Sequence, residues 1–424
     1  MTPGADEKLA ARLAVEALRN GVPNREAVRE LGCNQARAED NFIGLLDGVA
    51  DSRSREAGSR GMLVSGDFGS GKSHLLVHLE HLALSRGFVC SKVAISKETP
   101  LYDLGKVFSS AMENGRIPDR RGRFIEEIAL SLKPESEEYA AFSQWADGAA
   151  TDGLLNMIFP ASRIVHERSG DLELNSEIES FWAGDRMLIS RLRNGLRQVD
   201  QLQYYKFRAP KPADLPVQRL RFAIELIKSA GYRGWVVFLD EVELIGSYSI
   251  LQRGRSYAEI ARWMGLAQGE SYPGLVVVGA VTEDFASAII SPDGQKKDGD
   301  YVRPRLEQSA KYGVLSARAE SGMRLLERDC LTLEPPSDET VKTAVETLRS
   351  LYNRAYDWQP PSYDATAGGA GFQGRMRYKV RAAINEWDLR RLHPGYRPDT
   401  EFEDFTTPYE ENADPERETS DEPV

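Results

Sequence analysis

The chain has 424 residues, 41% hydrophobic and 28% charged, with three cysteines and a formal net charge of −11. This balance excludes a fibrous or wholly disordered protein, and the length sets a prior of two to three domains with a core that needs no disulfide staples. No run of 18 apolar residues and no signal-peptide apolar region occurs, and Cys33, Cys90 and Cys330 form no zinc spacing, so a cytoplasmic, reducing location away from any membrane is expected.

Residues 1–60 read as an N-terminal helical segment. Leu9, Leu13, Ala17 and Leu18 share one face of a 3.6-residue period. Gly21-Val22-Pro23 breaks that helix, Val28 and Leu31 mark a short second one that stops at Gly32, and Phe42, Leu45, Leu46 and Val49 mark a third. A core is expected over 61–337. It opens with a strand at Gly61–Ser65, a Gly-rich turn, a helix from about Lys72 to Ser85 and a strand at Phe88–Ile95. From about 104 to 233 the pattern is mostly helical, through Ile125, Ile128, Leu130 and Leu132, then Met187–Leu196 and Leu220–Ile227, and reads as an insertion. Trp235–Leu239 and Leu275–Val281 are Val-rich runs of the kind buried on both faces of a parallel sheet, and Cys330–Leu333 is a weaker fifth strand.

Residues 338–398 read as a C-terminal helical lid: Val341, Ala344, Val345, Leu348 and Leu351, a Pro/Gly-rich loop over 359–374, then a basic helix from about Arg375 to Leu392. Residues 401–424 hold ten acids and one base, which leaves the rest of the chain almost neutral. This tail over 399–424 is too polar to bury a core and is expected to be disordered, either solubilising or docking on a basic partner. The element order predicts an α/β fold, a parallel sheet flanked by helices.

Gly66-Asp67-Phe68-Gly69-Ser70-Gly71-Lys72-Ser73, followed by His74, fits G-x-x-x-x-G-K-[ST] between a predicted strand and a predicted helix. The pattern is that of a P-loop. Glycines let successive N–H groups face phosphate oxygens, and the following helix aims its positive end at the same anion. Lys72 is expected at the β- and γ-phosphates of ATP and Ser73 on Mg²⁺.

Trp235–Leu239 runs into Asp240-Glu241, as in a Walker B element. Asp240 is the candidate Mg²⁺ ligand and Glu241 the candidate for polarising the attacking water. Glu243, two residues on along an extended chain, is the alternative base. In P-loop proteins with an additional strand between the two motifs, that strand ends in a polar sensor, and Thr282 is the candidate here. The alternative for Thr282 is a turn cap. Candidate arginines for the γ-phosphate are Arg253, Arg255, Arg303, Arg305, Arg375 and Arg377, with Arg377 favoured because it opens a helix after the Gly-rich loop.

Several segments carry a resemblance. Gly69–Leu76, Val93–Asp103, Leu239–Ile245 and Gln252–Glu259 resemble the BREX phage-defence system ATP-binding protein family, of the BrxD-type P-loop ATPases. The similarity runs from about residue 15 to 397 and leaves out the acidic tail. Ser96–Asp103 and Gln252–Glu259 are more specific to the family than the Walker motifs. The resemblance implies an AAA+/STAND-like P-loop core with a C-terminal lid. It also implies a bacterial or archaeal defence role beside a helicase, a methyltransferase and a phosphatase-like protein, and Lys97 and Glu98, just past the second strand, are candidates for coupling nucleotide state to a partner surface.

Residues 375–397 carry seven bases and two acids. Arg377 and Arg381 share a helix face, so non-specific DNA contact and a solvated lid face are both open. No base-reading motif is present. The function expected is therefore an Mg²⁺-dependent ATPase that remodels or loads a defence complex on DNA, as a monomer or a homo-oligomer. The alternative is a slow nucleotide-gated switch that recruits partners.

Overall fold

The structure is a computed structural model that describes residues 5–21, 24–50, 60–364 and 376–395. Three helices, α1 (Ala5–Arg19), α2 (Arg25–Leu31) and α3 (Ala36–Ala50), precede strand β1 (Arg60–Gly66). Helix α4 (Lys72–Ser85) and strand β2 (Val89–Ala94) follow. A helical excursion then runs through α5 (Leu104–Glu113), the two-residue strand β3 (Gly115–Arg116), α6 (Phe124–Ser131), α7 (Glu137–Thr151), α8 (Ile158–Arg168), α9 (Leu172–Ala183), α10 (Ile189–Gln198) and α11 (Leu215–Ser229). The chain returns to the sheet at β4 (Trp235–Asp240), then α12 (Ile250–Trp263) and β5 (Leu275–Thr282). It continues through α13 (Asp298–Glu307), α14 (Ser316–Arg328) and β6 (Cys330–Thr332), and closes with α15 (Asp338–Tyr356) and α16 (Met376–Leu392).

The six strands form one sheet in the order β3-β2-β4-β5-β1-β6, parallel except for β3. Every residue of β4 and β5 is buried, because helices cover both faces, and this is why those strands read as unbroken Val-rich runs. Two consequences matter for the site. Strand β5 lies between β1 and β4, and its last residue, Thr282, is in register with Gly66. Ala94 of β2 is likewise in register with Asp240. The carboxyl ends of four parallel strands thus meet along one edge, where ligands bind open α/β sheets.

Three apolar clusters hold the helices. Helices α3 and α4 pack through Phe42, Leu46, Leu76 and Leu79 against Val64, Phe238 and Val278 on one sheet face. The helical excursion and α12–α14 cover the other face, around Trp235, Phe159, Trp182 and Trp263. The third cluster lies off the sheet. It joins Ala14, Val15 and Leu18 of α1 and Ala27 of α2 to Val345, Leu348 and Tyr352 of α15 and to Ile384 and Trp387 of α16.

That third cluster alters the expected organisation. The first 60 residues do not act as one segment: α1 and α2 join the C-terminal helices, while α3 belongs to the sheet. The joint is polar as well as apolar. Arg19 bridges to Asp388 at 2.7 Å, and Asp388 accepts from the Tyr352 hydroxyl at 2.7 Å. The break at Val22-Pro23, most of the Pro/Gly-rich loop, Arg375 and the acidic tail over 399–424 lie outside the described residues.

Candidate functional site: a cleft between the sheet edge and a helical wall

A cleft of about 510 Å³ opens at the carboxyl edge of the sheet. One wall is built by Phe68–Leu75 with Asp240, Glu241 and Glu243. The facing wall is built by Leu18, Leu31 and Gly32–Gln35, by Ser337 and the α15 residues Glu339, Thr340, Thr343 and Ala344, and by Met376, Arg377 and Val380 of α16.

The Gly-rich turn forms because β1 must hand over to α4 in five residues. Gly69 at φ +80° and Gly71 at φ +105° take the left-handed conformations this demands. Gly71 is also the residue before the helix, and no side chain caps the first turn of α4, so its free N–H groups face the cleft. Lys72 folds back onto this loop, its Nζ donating to the carbonyls of Gly66 at 2.8 Å and Asp67 at 3.2 Å. Burial lowers the ammonium's pKa, and the negative charges of Glu243, Asp240 and Asp67 oppose that shift. The Ser70 hydroxyl is buried and makes no hydrogen bond.

Asp240, only 6% exposed, ends β4 with both oxygens engaged. Oδ2 lies 2.8 Å from Lys92 Nζ of β2, and Oδ1 accepts the Glu241 N–H at 3.1 Å. Lys92 was no part of the sequence expectation. It is two residues short of Ala94, the register partner of Asp240, so it lies on the same sheet face one step along the neighbouring strand. Glu241 takes a left-handed conformation at φ +59°, a cost of roughly 1–2 kcal/mol for a residue with a Cβ. Burial and the neighbouring Asp240 raise its carboxyl pKa.

Glu243 is where the structure departs from the expectation of an extended chain. Residues 242–247 form a 3₁₀ turn directly after Glu241, and the turn carries the Glu243 side chain inward. It is buried, lines the cleft and leaves Oε2 without a hydrogen-bond partner. Burial pushes its pKa up to about 7, against the pull of Lys72.

The two walls touch at two places. Arg377 stacks its guanidinium over the Phe68 ring at 5.2 Å, with its stem against Gly21. His74 places Nε2 2.6 Å from the Gly32 carbonyl, so that nitrogen carries the proton, and burial keeps the ring's pKa low. Gln35 fastens the same linker to the segment after β6, donating to the Glu334 carbonyl at 2.8 Å and accepting its N–H at 3.0 Å.

Thr282 is buried beside Gly66, at the strand end but not on the cleft surface. The other arginines lie elsewhere. Arg253 is 3% exposed and makes a two-point pair with the fully buried Asp298, at 2.7 and 2.8 Å, and this removes it from the set that could reach a phosphate. Arg255 lies over the rings of Tyr102 and Tyr312. Arg303 pairs with Glu307 and Glu320, and Arg305 reaches Gln308 on an exposed face. The linker Gly32–Gln35 and the α15 face at Thr340 and Thr343 line the cleft without having been anticipated. Nothing local in the sequence marks them, since their place depends on the packing of α1 against α15.

The basic charge of α16 is largely spent within the fold. Arg377 is on Phe68, Arg390 pairs with Glu386, and Arg391 lies over Tyr356 and near Asp388. Among the described residues, no group of three His, Cys, Asp or Glu side chains could form a metal cage, and no helix is long and apolar enough to cross a membrane.

No curated protein and no solved structure matches the chain. The family model for BREX system ATP-binding protein BrxC/D matches residues 7–125 and 214–364, well over half of the chain. The matched stretches contain the Gly-rich turn, the acids after β4, helices α1 and α2, and helix α15. ATP is thus the ligand the family assigns, and other components of the BREX system are the partners its membership points to. The chain belongs to the family of BREX system ATP-binding proteins BrxC/D.

Proposed function

We propose that this chain is an Mg²⁺-dependent ATPase with a P-loop core of the additional-strand, AAA+/STAND-like type, and that its turnover remodels or loads a defence complex on DNA. The observation that carries this reading is convergence. A P-loop sequence and an acidic pair about 170 residues apart in the chain line one cleft, with one strand between their two strands. Lys72, now on loop carbonyls, would exchange them for phosphate oxygens, which offer full negative charge in place of dipoles. The N–H groups of Gly69–Ser73 and the start of α4 would cradle the same phosphates. The linker Gly32–Gln35 and the apolar Leu18, Leu31 and Val380 leave room for the base.

A divalent cation fits the donor set. Ser73 and Asp240 line the same cleft and offer hard oxygens, and without a protein cage the nucleotide's phosphates would complete the shell. The cation would neutralise charge on the phosphates being separated. Lys92 holds the Asp240 carboxylate in its orientation. Glu241 would align the attacking water and take its proton, while Thr282 and Arg377 stand as sensor candidates at the strand end and the facing wall.

The test is Glu241→Gln. ATP affinity is expected to persist while turnover falls about 10²–10⁴-fold. Turnover unchanged from the parent protein would take Glu241 out of the role and turn attention to Glu243.

A second reading has its own support. The helical wall touches the P-loop through Arg377 and His74, so a nucleotide in the cleft would meet both walls at once. This favours a nucleotide-gated switch whose slow turnover acts as a timer. Steady-state turnover stimulated many-fold by DNA marks the remodelling ATPase. A slow rate indifferent to DNA but altered by another component of the system marks the switch.

A further inference from the structure

Residues 186–211, from the end of α9 through α10 to the loop before α11, hold seven bases and one acid, Asp200. They lie wholly within the stretch that the family model passes over. Four of the bases gather on one exposed face. Arg193 and Arg197 are one turn apart on α10, and Arg193 donates to the Phe207 carbonyl at 3.3 Å with its guanidinium 5.8 Å from that ring. The following loop therefore lies against α10. In that loop Tyr205 and Phe207 turn inward onto the core, while Lys206 and Arg208 point out.

None of these four cations pairs with a carboxylate among the described residues, although the fold pairs most of its arginines elsewhere. Asp147 and Glu167, whose charges act on Tyr205 on the inner side of the loop, pair with Arg163. Like charges at i, i+4 on a helix repel and cost stability. An uncompensated cationic face of this kind is stabilised by an anion that spans several sites. Tyr204, 68% exposed, adds an aromatic ring to the same loop, with no ring partner among the described residues. Cations that follow a phosphate backbone beside an exposed aromatic ring are the elements of a single-strand binding surface.

We propose that the α10 face, through Arg193, Arg197, Lys206 and Arg208 with Tyr204 as a stacking platform, binds single-stranded DNA without sequence preference. This proposal does not rest on the ATPase reading, because the face is distinct from the cleft and binding to it is measured without nucleotide. It places nucleic-acid contact on the insertion rather than on α16, whose arginines are mostly engaged within the fold.

Fluorescence anisotropy of the full chain with labelled oligothymidylate of about 20 nucleotides tests it. Replacing the four cations by glutamine should weaken binding at least tenfold and make the slope of log K against log salt shallower by about three. Tyr204→Ala should weaken it about tenfold with the salt slope kept. ATP affinity should stay at the parental value in both, which separates a failure here from a failure of the nucleotide site. Unchanged binding in the glutamine variant overturns the proposal. So does loss of binding in Lys379→Gln/Arg381→Gln, which would place contact on α16. Tighter binding of duplex DNA with Tyr204→Ala silent overturns the single-strand assignment. Equal binding of poly-L-glutamate would show a surface for any polyanion and overturn it as well.

Discussion

The two walls of the cleft are made in opposite ways. The sheet-edge wall is local. Eight consecutive residues, Gly66–Ser73, form the Gly-rich bend, and Asp240 and Glu241 end β4 and open the turn after it. The helical wall is assembled from both ends of the described chain, α1 and α2 with α15 and α16, more than 300 residues apart in sequence. The first wall can hold an anion wherever a strand, a loop and a helix meet. The second exists only while the third apolar cluster is intact. The Gly-rich bend and the acids thus come from the short-range wall, and the cleft's enclosure from the long-range one.

This contrast can be broken by removing the long-range wall alone. Trp387 is fully buried between α15 and α16, with its ring edge-on to Tyr352 at 5.5 Å and its N–H on the Pro361 carbonyl at 3.2 Å. Trp387→Ala should cost about 3–5 kcal/mol. Calorimetry should resolve an early transition for the helical wall, with the sheet core melting near its parental temperature. A single transition, lowered as a whole, would mean that the two walls unfold as one unit.

The sheet-edge wall is sharpened by Glu243→Gln. The folded state holds this carboxyl protonated up to about pH 7, above its usual value of 4.5. Its contribution to stability is therefore fully present below about pH 4.5 and is lost as pH rises towards 7, by up to about 3 kcal/mol in the nucleotide-free protein. The glutamine variant should lack that decline. Chemical denaturation across pH 4.5–8 checks it, and parallel curves for variant and parent would show that Glu243 is not strained by burial.

The smallest expected effect lies where the walls touch. Arg377→Ala removes the stack over Phe68 and should loosen the contact by about 0.5–1 kcal/mol. Hydrogen exchange at Phe68–Ser70 should speed by a few-fold in the nucleotide-free chain. If exchange there is unchanged, the contact between the walls is carried by His74 instead.

Much of the short-range wall was legible. The helix expected from about Lys72 to Ser85 has those ends, because the Gly-rich turn sets its start. The buried strands β4 and β5 announced themselves as Val-rich runs bounded by turn residues. The short antiparallel edge strand β3 was not legible, since two residues carry no periodicity. Nor was the inward turn of Glu243, because a strand end can continue or coil and no local residue decides between them. In the sequence Arg253 was one of six candidate arginines, with Arg377 favoured among them, and nothing near it excluded it. Its burial depends on Asp298, 45 residues on.

By itself the sequence determined the alternation of strands and helices, the Gly-rich bend and the acids at a strand tip. Each of these follows from the backbone preferences and periodicity of a few adjacent residues. Only the tertiary structure decided that Lys92 reaches Asp240, that Glu243 turns into the cleft, and that helices from the two ends of the chain close it. Those outcomes depend on burying apolar faces against partners hundreds of residues away, and no local pattern encodes which partner a face will meet.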